Sequence, residues 1–167
     1  MPMDDVPERS PEPSRRTFLV GAAASTAGGI ASVTVLASGE ARATPATMQA
    51  LIRKTIGQAQ LRKGKVTLDI PPIVENGNSV SLDVTVDSPM TLADHVKTIH
   101  VFNEKNPLPN VLTVHLGPRA GRAKVATRIR LADTQKIIAI AEMNDGTFWS
   151  DDIDVVVTIA ACLEDPV

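Results

Sequence analysis

One thiol, three imidazoles and a run of cationic side chains are the groups in this sequence that could do chemistry. Cys162 is the single cysteine. One cysteine cannot close an internal disulfide, so its thiol is idle, links partners, or is itself the reacting group. It follows an alternating apolar stretch that ends at Ile159, on a tail with no turn to return it to a core. Glu164 and Asp165 stand beside it and favour the neutral thiol, and no Lys or Arg is adjacent in sequence to oppose them. His95, His100 and His115 fall in no zinc-site spacing and read as surface or strand-edge residues. There is no H-E-x-x-H, no G-x-S-x-G and no nucleotide-binding glycine loop. The Gly117–Gly121 segment contains Pro118 and leads into no helix, so it is no phosphate cradle. Arg119, Arg122, Lys124, Arg128 and Arg130 cluster around one loop and strand. The even-numbered four share a parity, which places them on one strand face, either solvated or turned to an anionic partner. Catalytic residues, metal ligands and cofactor-binding residues are therefore not expected.

The elements that carry these groups are read from periodicity. Thr47 is placed to cap a helix over Met48–Gln60, with Leu51, Ile52, Ile56 and Ala59 as its apolar stripe. Gly57 weakens that helix and Gly64 is its expected stop. Beyond Gly64 the period becomes two. Strands are expected at Val66–Ile70, Val80–Val86, Val96–Glu104, Leu112–Leu116, Ala123–Leu131, Ile137–Met143 and Ile153–Ile159. Asn76-Gly77-Asn78, Asp87-Ser88-Pro89 and Asn144-Asp145-Gly146 supply turns, the last into Phe148-Trp149, which reads as core or rim packing. About seven strands with no helix recurring between them describe an all-β, antiparallel two-sheet sandwich with a short N-terminal helix.

The first 43 residues read as an export signal. Arg15-Arg16 precede a run of small and apolar residues from Val20 to Leu36, and Ala41-Arg42-Ala43 has the small-x-small form of a cleavage site. Twin arginines in this setting predict the Tat route to the periplasm, leaving a mature domain over residues 44–159 and a tail over 160–167. With 17 Lys plus Arg against 19 Asp plus Glu, the charge is near balance, which argues against a nucleic-acid partner. No second long apolar segment calls for stable membrane insertion.

Longer stretches carry a family resemblance. They include Gly64-Lys65-Val66-Thr67-Leu68-Asp69-Ile70-Pro71, Glu75-Asn76-Gly77-Asn78-Ser79-Val80 and Val86-Asp87-Ser88-Pro89-Met90-Thr91. Others are Ile99-His100-Val101-Phe102-Asn103-Glu104-Lys105-Asn106-Pro107, Arg119-Ala120-Gly121-Arg122-Ala123, Thr127-Arg128-Ile129-Arg130-Leu131 and Ala141-Glu142-Met143-Asn144-Asp145-Gly146. In these the chain resembles the SoxY family, the sulfur-carrier subunits of the periplasmic thiosulfate-oxidising (Sox) system. The resemblance implies an immunoglobulin-like sandwich that forms a heterodimer with a SoxZ-like sandwich subunit. It further implies that Cys162 carries sulfur intermediates covalently between haem-containing, hydrolase and dehydrogenase partners, the chain itself being no enzyme.

The tail departs from the family pattern. A cysteine between two pairs of glycines is replaced by Ala160-Ala161-Cys162-Leu163-Glu164-Asp165-Pro166-Val167. Glycine gives an arm free torsions and a slim profile, whereas Leu163 adds bulk and two carboxylates stand beside an anionic cargo. The alternative expectation is a binding or structural sandwich that pairs with a SoxZ-like partner without efficient carriage. Oxidation of Cys162 to an intermolecular disulfide would compete with carriage.

Overall fold

A helix and nine strands are laid down in chain order, and the computed structural model describes residues 42–160. They are α1 (Pro45–Ile56), β1 (Leu61–Arg62), β2 (Val66–Asp69), β3 (Ile73–Asn76), β4 (Val80–Val86), β5 (Val96–Asn103), β6 (Asn110–His115), β7 (Lys124–Ile129), β8 (Gln135–Met143) and β9 (Phe148–Ile159). The expected sandwich is present: a large sheet ordered β1-β9-β8-β5-β6 faces a small sheet ordered β2-β4-β7, and β3 also pairs with β9. The long ladders are antiparallel, but β1 and β3 join β9 in parallel. These two short strands raise the number above the expected seven. Phe148-Trp149 and Ile153–Ile159 are one strand rather than two.

Between its two sheets the sandwich holds a single apolar layer. Leu82 and Val84 of the small sheet meet Ile99, Val101, Ile137, Ala139 and Val155 of the large one, all fully buried. Strand β4 buries every second residue, the signature of one covered face. Strand β8 is continuously apolar from Ile137 to Ala141 because both its faces are covered there. Ile137, Ala139 and Ala141 point into the sandwich, while Ile138 and Ile140 point outward beneath α1. Met48 and Ile52 of the helix seat there with Phe102 and Phe148. At about 25 cal/mol per Å² of apolar area, each such side chain is worth roughly 1.5–3 kcal/mol.

Helix α1 begins three residues before the expected Met48. Thr44, not Thr47, is its N-cap, accepting from the Thr47 N–H at 3.1 Å, while Thr47 Oγ1 accepts from the Thr44 N–H at 2.7 Å. Pro45 stands in the first turn, where a missing N–H costs nothing. The helix stops at Ile56 rather than Gln60, because Gly57 adopts φ of 63° and returns its N–H to the Arg53 carbonyl.

Candidate functional site

Cys162 lies outside the described residues, as do the twin arginines and apolar run of the expected leader and the tail beyond Ala160. The structure does define the base from which the tail departs. Strand β9 delivers it: Asn76 pairs with Ile159, and the Gly77 N–H donates to the Ile159 carbonyl at 2.8 Å. The Gly77 carbonyl in turn accepts from the Leu131 N–H at 2.8 Å. Thr134 Oγ1 accepts from the Val157 N–H at 3.0 Å, and Thr158 Oγ1 donates to the Glu75 carbonyl at 3.1 Å. The last turn of strand before the tail is thus held on both edges.

A polar network stiffens the loops at this end. Asn106 Oδ1 accepts from the Ala132 N–H at 2.9 Å and from Gln135 Nε2 at 3.0 Å, and Asn106 Nδ2 donates to the Arg130 carbonyl at 2.8 Å. Gln135 is buried and accepts from the Lys105 N–H at 2.9 Å. Lys105 Nζ donates to Asp133 at 3.0 Å, a bond that, with the Thr134 N–H, holds the Asp133 carboxyl below the usual carboxylate range. Asn106 and Gln135 therefore lock the 104–110 loop to the 130–135 loop. Neither residue carried a signal in the sequence, since each is defined only by long-range partners.

The same end contains a groove of about 510 Å³ between the edges of β6 and β7. Val111, Leu112, Leu108, Arg128, Ile129 and Arg130 contribute to its lining, with Asn103 at its floor. It exists because β6 and β7 are the terminal strands of different sheets and do not pair. Thr127 has the inward parity of Ile129 yet is exposed, so the small sheet runs on past its cover.

The cationic residues divide between the two ends of β7. Arg122, Lys124, Arg128 and Arg130 are all exposed, as their shared parity requires. Lys124 pairs with Asp83 at 2.9 Å, and Arg128 donates to Ser79 Oγ at 3.2 Å. Arg128 and Arg130 line the groove; Arg122 and Lys124 stand at the other end, beside Gly64 and Lys65. Trp149 packs at that far end with Arg62 and Lys65 over its ring, at 5.8 and 5.4 Å.

The histidines form no common centre. His95 Nδ1 lies 3.0 Å from the Thr91 carbonyl. His100 Nδ1 meets Thr113 Oγ1 at 3.0 Å and His115 Nδ1 meets Thr98 Oγ1 at 3.2 Å, both pairs on the outer face of β5 and β6. Burial pushes the His100 imidazole below its ordinary pKa, Glu142 opposes the shift, and His115 adds to it. No carboxylate is hydrogen-bonded to either ring among the described residues, so these threonine–histidine pairs lack the orienting third group of a nucleophilic relay. Also among the described residues, no three His, Cys, Asp or Glu side chains are placed to hold a metal ion.

Comparison with solved structures places this fold among known sandwiches. The sulfur carrier protein SoxY from Chlorobium limicola f thiosulfatophilum superposes with a TM-score of 0.57 at 23% identity, over 68% of this chain and 98% of that one. A superoxide reductase (neelaredoxin) from Ignicoccus hospitalis gives 0.50 at 17% identity, over 72% and 98%. A putative superoxide reductase from Thermotoga maritima gives 0.50 at 21% identity, over 58% and 93%. At these identities the likeness is one of fold. No curated protein matches the sequence. The family model described as sulfur oxidation protein SoxY matches residues 52–162, from the buried Ile52 of α1 to Cys162. That match covers well over half of the sequence, and the chain belongs to the SoxY family.

Proposed function

We propose that the chain is a covalent sulfur carrier whose attachment point is Cys162. The supporting observation is the extent of the family match, which runs through the sandwich and ends on that cysteine. The C. limicola relative of the same fold is a sulfur carrier protein. The chemistry then proceeds in balanced steps. A haem-containing partner removes two electrons while the Cys162 thiol and the outer sulfur of thiosulfate join, releasing one proton and leaving a cysteine S-thiosulfonate. Hydrolysis by a second partner cleaves the bond to the sulfonate, taking up water and releasing sulfate and a proton. The persulfide left on Cys162 passes to a dehydrogenase partner or is lengthened.

In this reading the sandwich is handle and docking surface, and the reactions belong to the partners. Tethering raises the effective concentration of the bound sulfur at each of them. Tat-dependent export to the periplasm and pairing with a SoxZ-like subunit complete the proposal. The test is intact-mass analysis of the purified complex after incubation with thiosulfate and its oxidising partner. A thiosulfonate adduct that is absent from Cys162→Ala is expected; unmodified Cys162 throughout would remove the carrier assignment.

A further inference from the structure

We propose that the acidic end of this chain folds back into the groove between β6 and β7, where Arg128 and Arg130 receive the carboxylates of Glu164 and Asp165. Charge complementarity is the first support. Arg128 and Arg130 are exposed on the groove wall, and neither is paired with a carboxylate among the described residues, Arg128 bonding only the Ser79 hydroxyl. Guanidinium groups suit carboxylates through paired N–H donors. Residues 163–165 supply Leu163 followed by two acids, and the groove supplies apolar Leu108, Val111 and Leu112 beside two cations. Leu108 is 70% exposed, an apolar side chain on the rim with nothing over it among the described residues.

The second support is reach. Ile159 is joined through Gly77 to Leu131, the residue after Arg130, by two hydrogen bonds. Hydrogen-bonded strands lie about 5 Å apart, so Leu131 stands roughly 10 Å from Ile159. From Ile159 to Glu164 an extended chain spans up to about 17 Å. The tail therefore departs from the end of the sandwich at which the groove opens, with length enough to enter it.

The groove floor supplies a third support. Asn103 is fully buried, and its Oδ1 accepts from the Asn106 N–H at 3.2 Å, but its Nδ2 is a buried donor with no acceptor among the described residues. A buried donor left unpaired costs about 1–3 kcal/mol. A bulge in the β5·β6 register at Val101/Phe102 turns Val111 into the same groove. A peptide segment brings carbonyl and carboxylate acceptors to such a floor, once the 106–110 loop gives way to admit them.

Docking and carriage are separable. Seated this way, the tail would give its acidic departure from a glycine arm a use. The lone cysteine permits the test. A nitroxide on Cys162 of the isotope-labelled protein should selectively broaden the amides of residues 108–112 and 127–130, sparing residues 64–67 at the opposite end. Glu164→Gln with Asp165→Asn, or Arg128→Gln with Arg130→Gln, should abolish most of that selectivity, as should 1 M salt, where the screening length is about 3 Å. Broadening spread evenly around the tail base, or indifferent to these changes, overturns the proposal. So does broadening seen only between spin-labelled and isotope-labelled copies, which would make the occupant a second chain. A thiosulfate adduct without broadening retains carriage and removes docking; broadening without an adduct does the reverse.

Discussion

The backbone N–H of Leu68 donates to Asp151 Oδ2 at 2.9 Å, fastening the edge strand of the small sheet to the first half of the longest strand of the large one. The chain from 61 to 76 follows β9 along its length. It pairs in parallel at Leu61–Arg62, crosses to the other sheet at β2, and returns to pair in parallel at Ile73–Asn76. Asp151 bridges the interval in which backbone pairing lapses. Removing it in Asp151→Ala should cost about 1.5–3 kcal/mol, the usual worth of a hydrogen bond to a charged group. Asp151→Asn, which keeps an acceptor, should cost less. Urea denaturation of the two variants checks the order.

Helix α1 depends on few contacts. Ile52 is almost completely buried against Phe102, Ile138, Ile140 and Phe148. Ile52→Ala should destabilise by about 2–5 kcal/mol, and hydrogen exchange should quicken first in Pro45–Ile56 while β4 stays protected. Equal acceleration in β4 would mean that the helix is not a separate unit of stability.

The two ends of that helix make a paired prediction. Thr44→Ala removes the reciprocal cap with Thr47 and should cost about 1 kcal/mol. Gly57→Ala places a side chain at φ of 63°, in open space but in the left-handed region. It should cost roughly as much through backbone strain alone. Thermal melts of the single and double variants should be close to additive, because the two sites share no partner.

The sheet was legible wherever a strand had one covered face. Val80, Leu82, Val84 and Val86 are the buried positions of β4, as their spacing announces. The long apolar run of β8 was equally plain, although its reason, a helix on the second face, is a tertiary fact. Strand β3 was hidden because only Val74 of its four residues is buried and its partner lies some eighty residues on. Strand β9 was split by Asp151, Asp152 and Asp154, which occupy exposed or half-buried positions of a continuous ladder and pair with Lys63 and Lys136. Of the candidate residues, the parity of the cationic four was readable from spacing. The groove was not, because it arises where two strands fail to pair.

His100 gives a pH prediction with a definite sign. Burial lowers its folded pKa below 6.5, so the fold favours the neutral ring. That contribution to stability is fully present above pH 6.5 and is lost as pH falls from there through the folded pKa. An NMR titration should place the His100 midpoint below 6.5, with Glu142 and His115 as its charged neighbours. In His100→Gln, stability should change less between about pH 7 and about pH 5 than in the parent. A parent whose stability is flat over that interval would count against the burial account.

The length of β9 has a mechanical consequence. Any partner that grips the tail and draws it away pulls along the axis of a strand laddered to β8 from Phe148 to Val155 and to β3 from Val156 to Ile159. A pull along a strand loads the cross-strand bonds of both ladders together, in shear, instead of opening them one after another. The last strand can therefore bear traction at its C-terminal end with both ladders resisting at once.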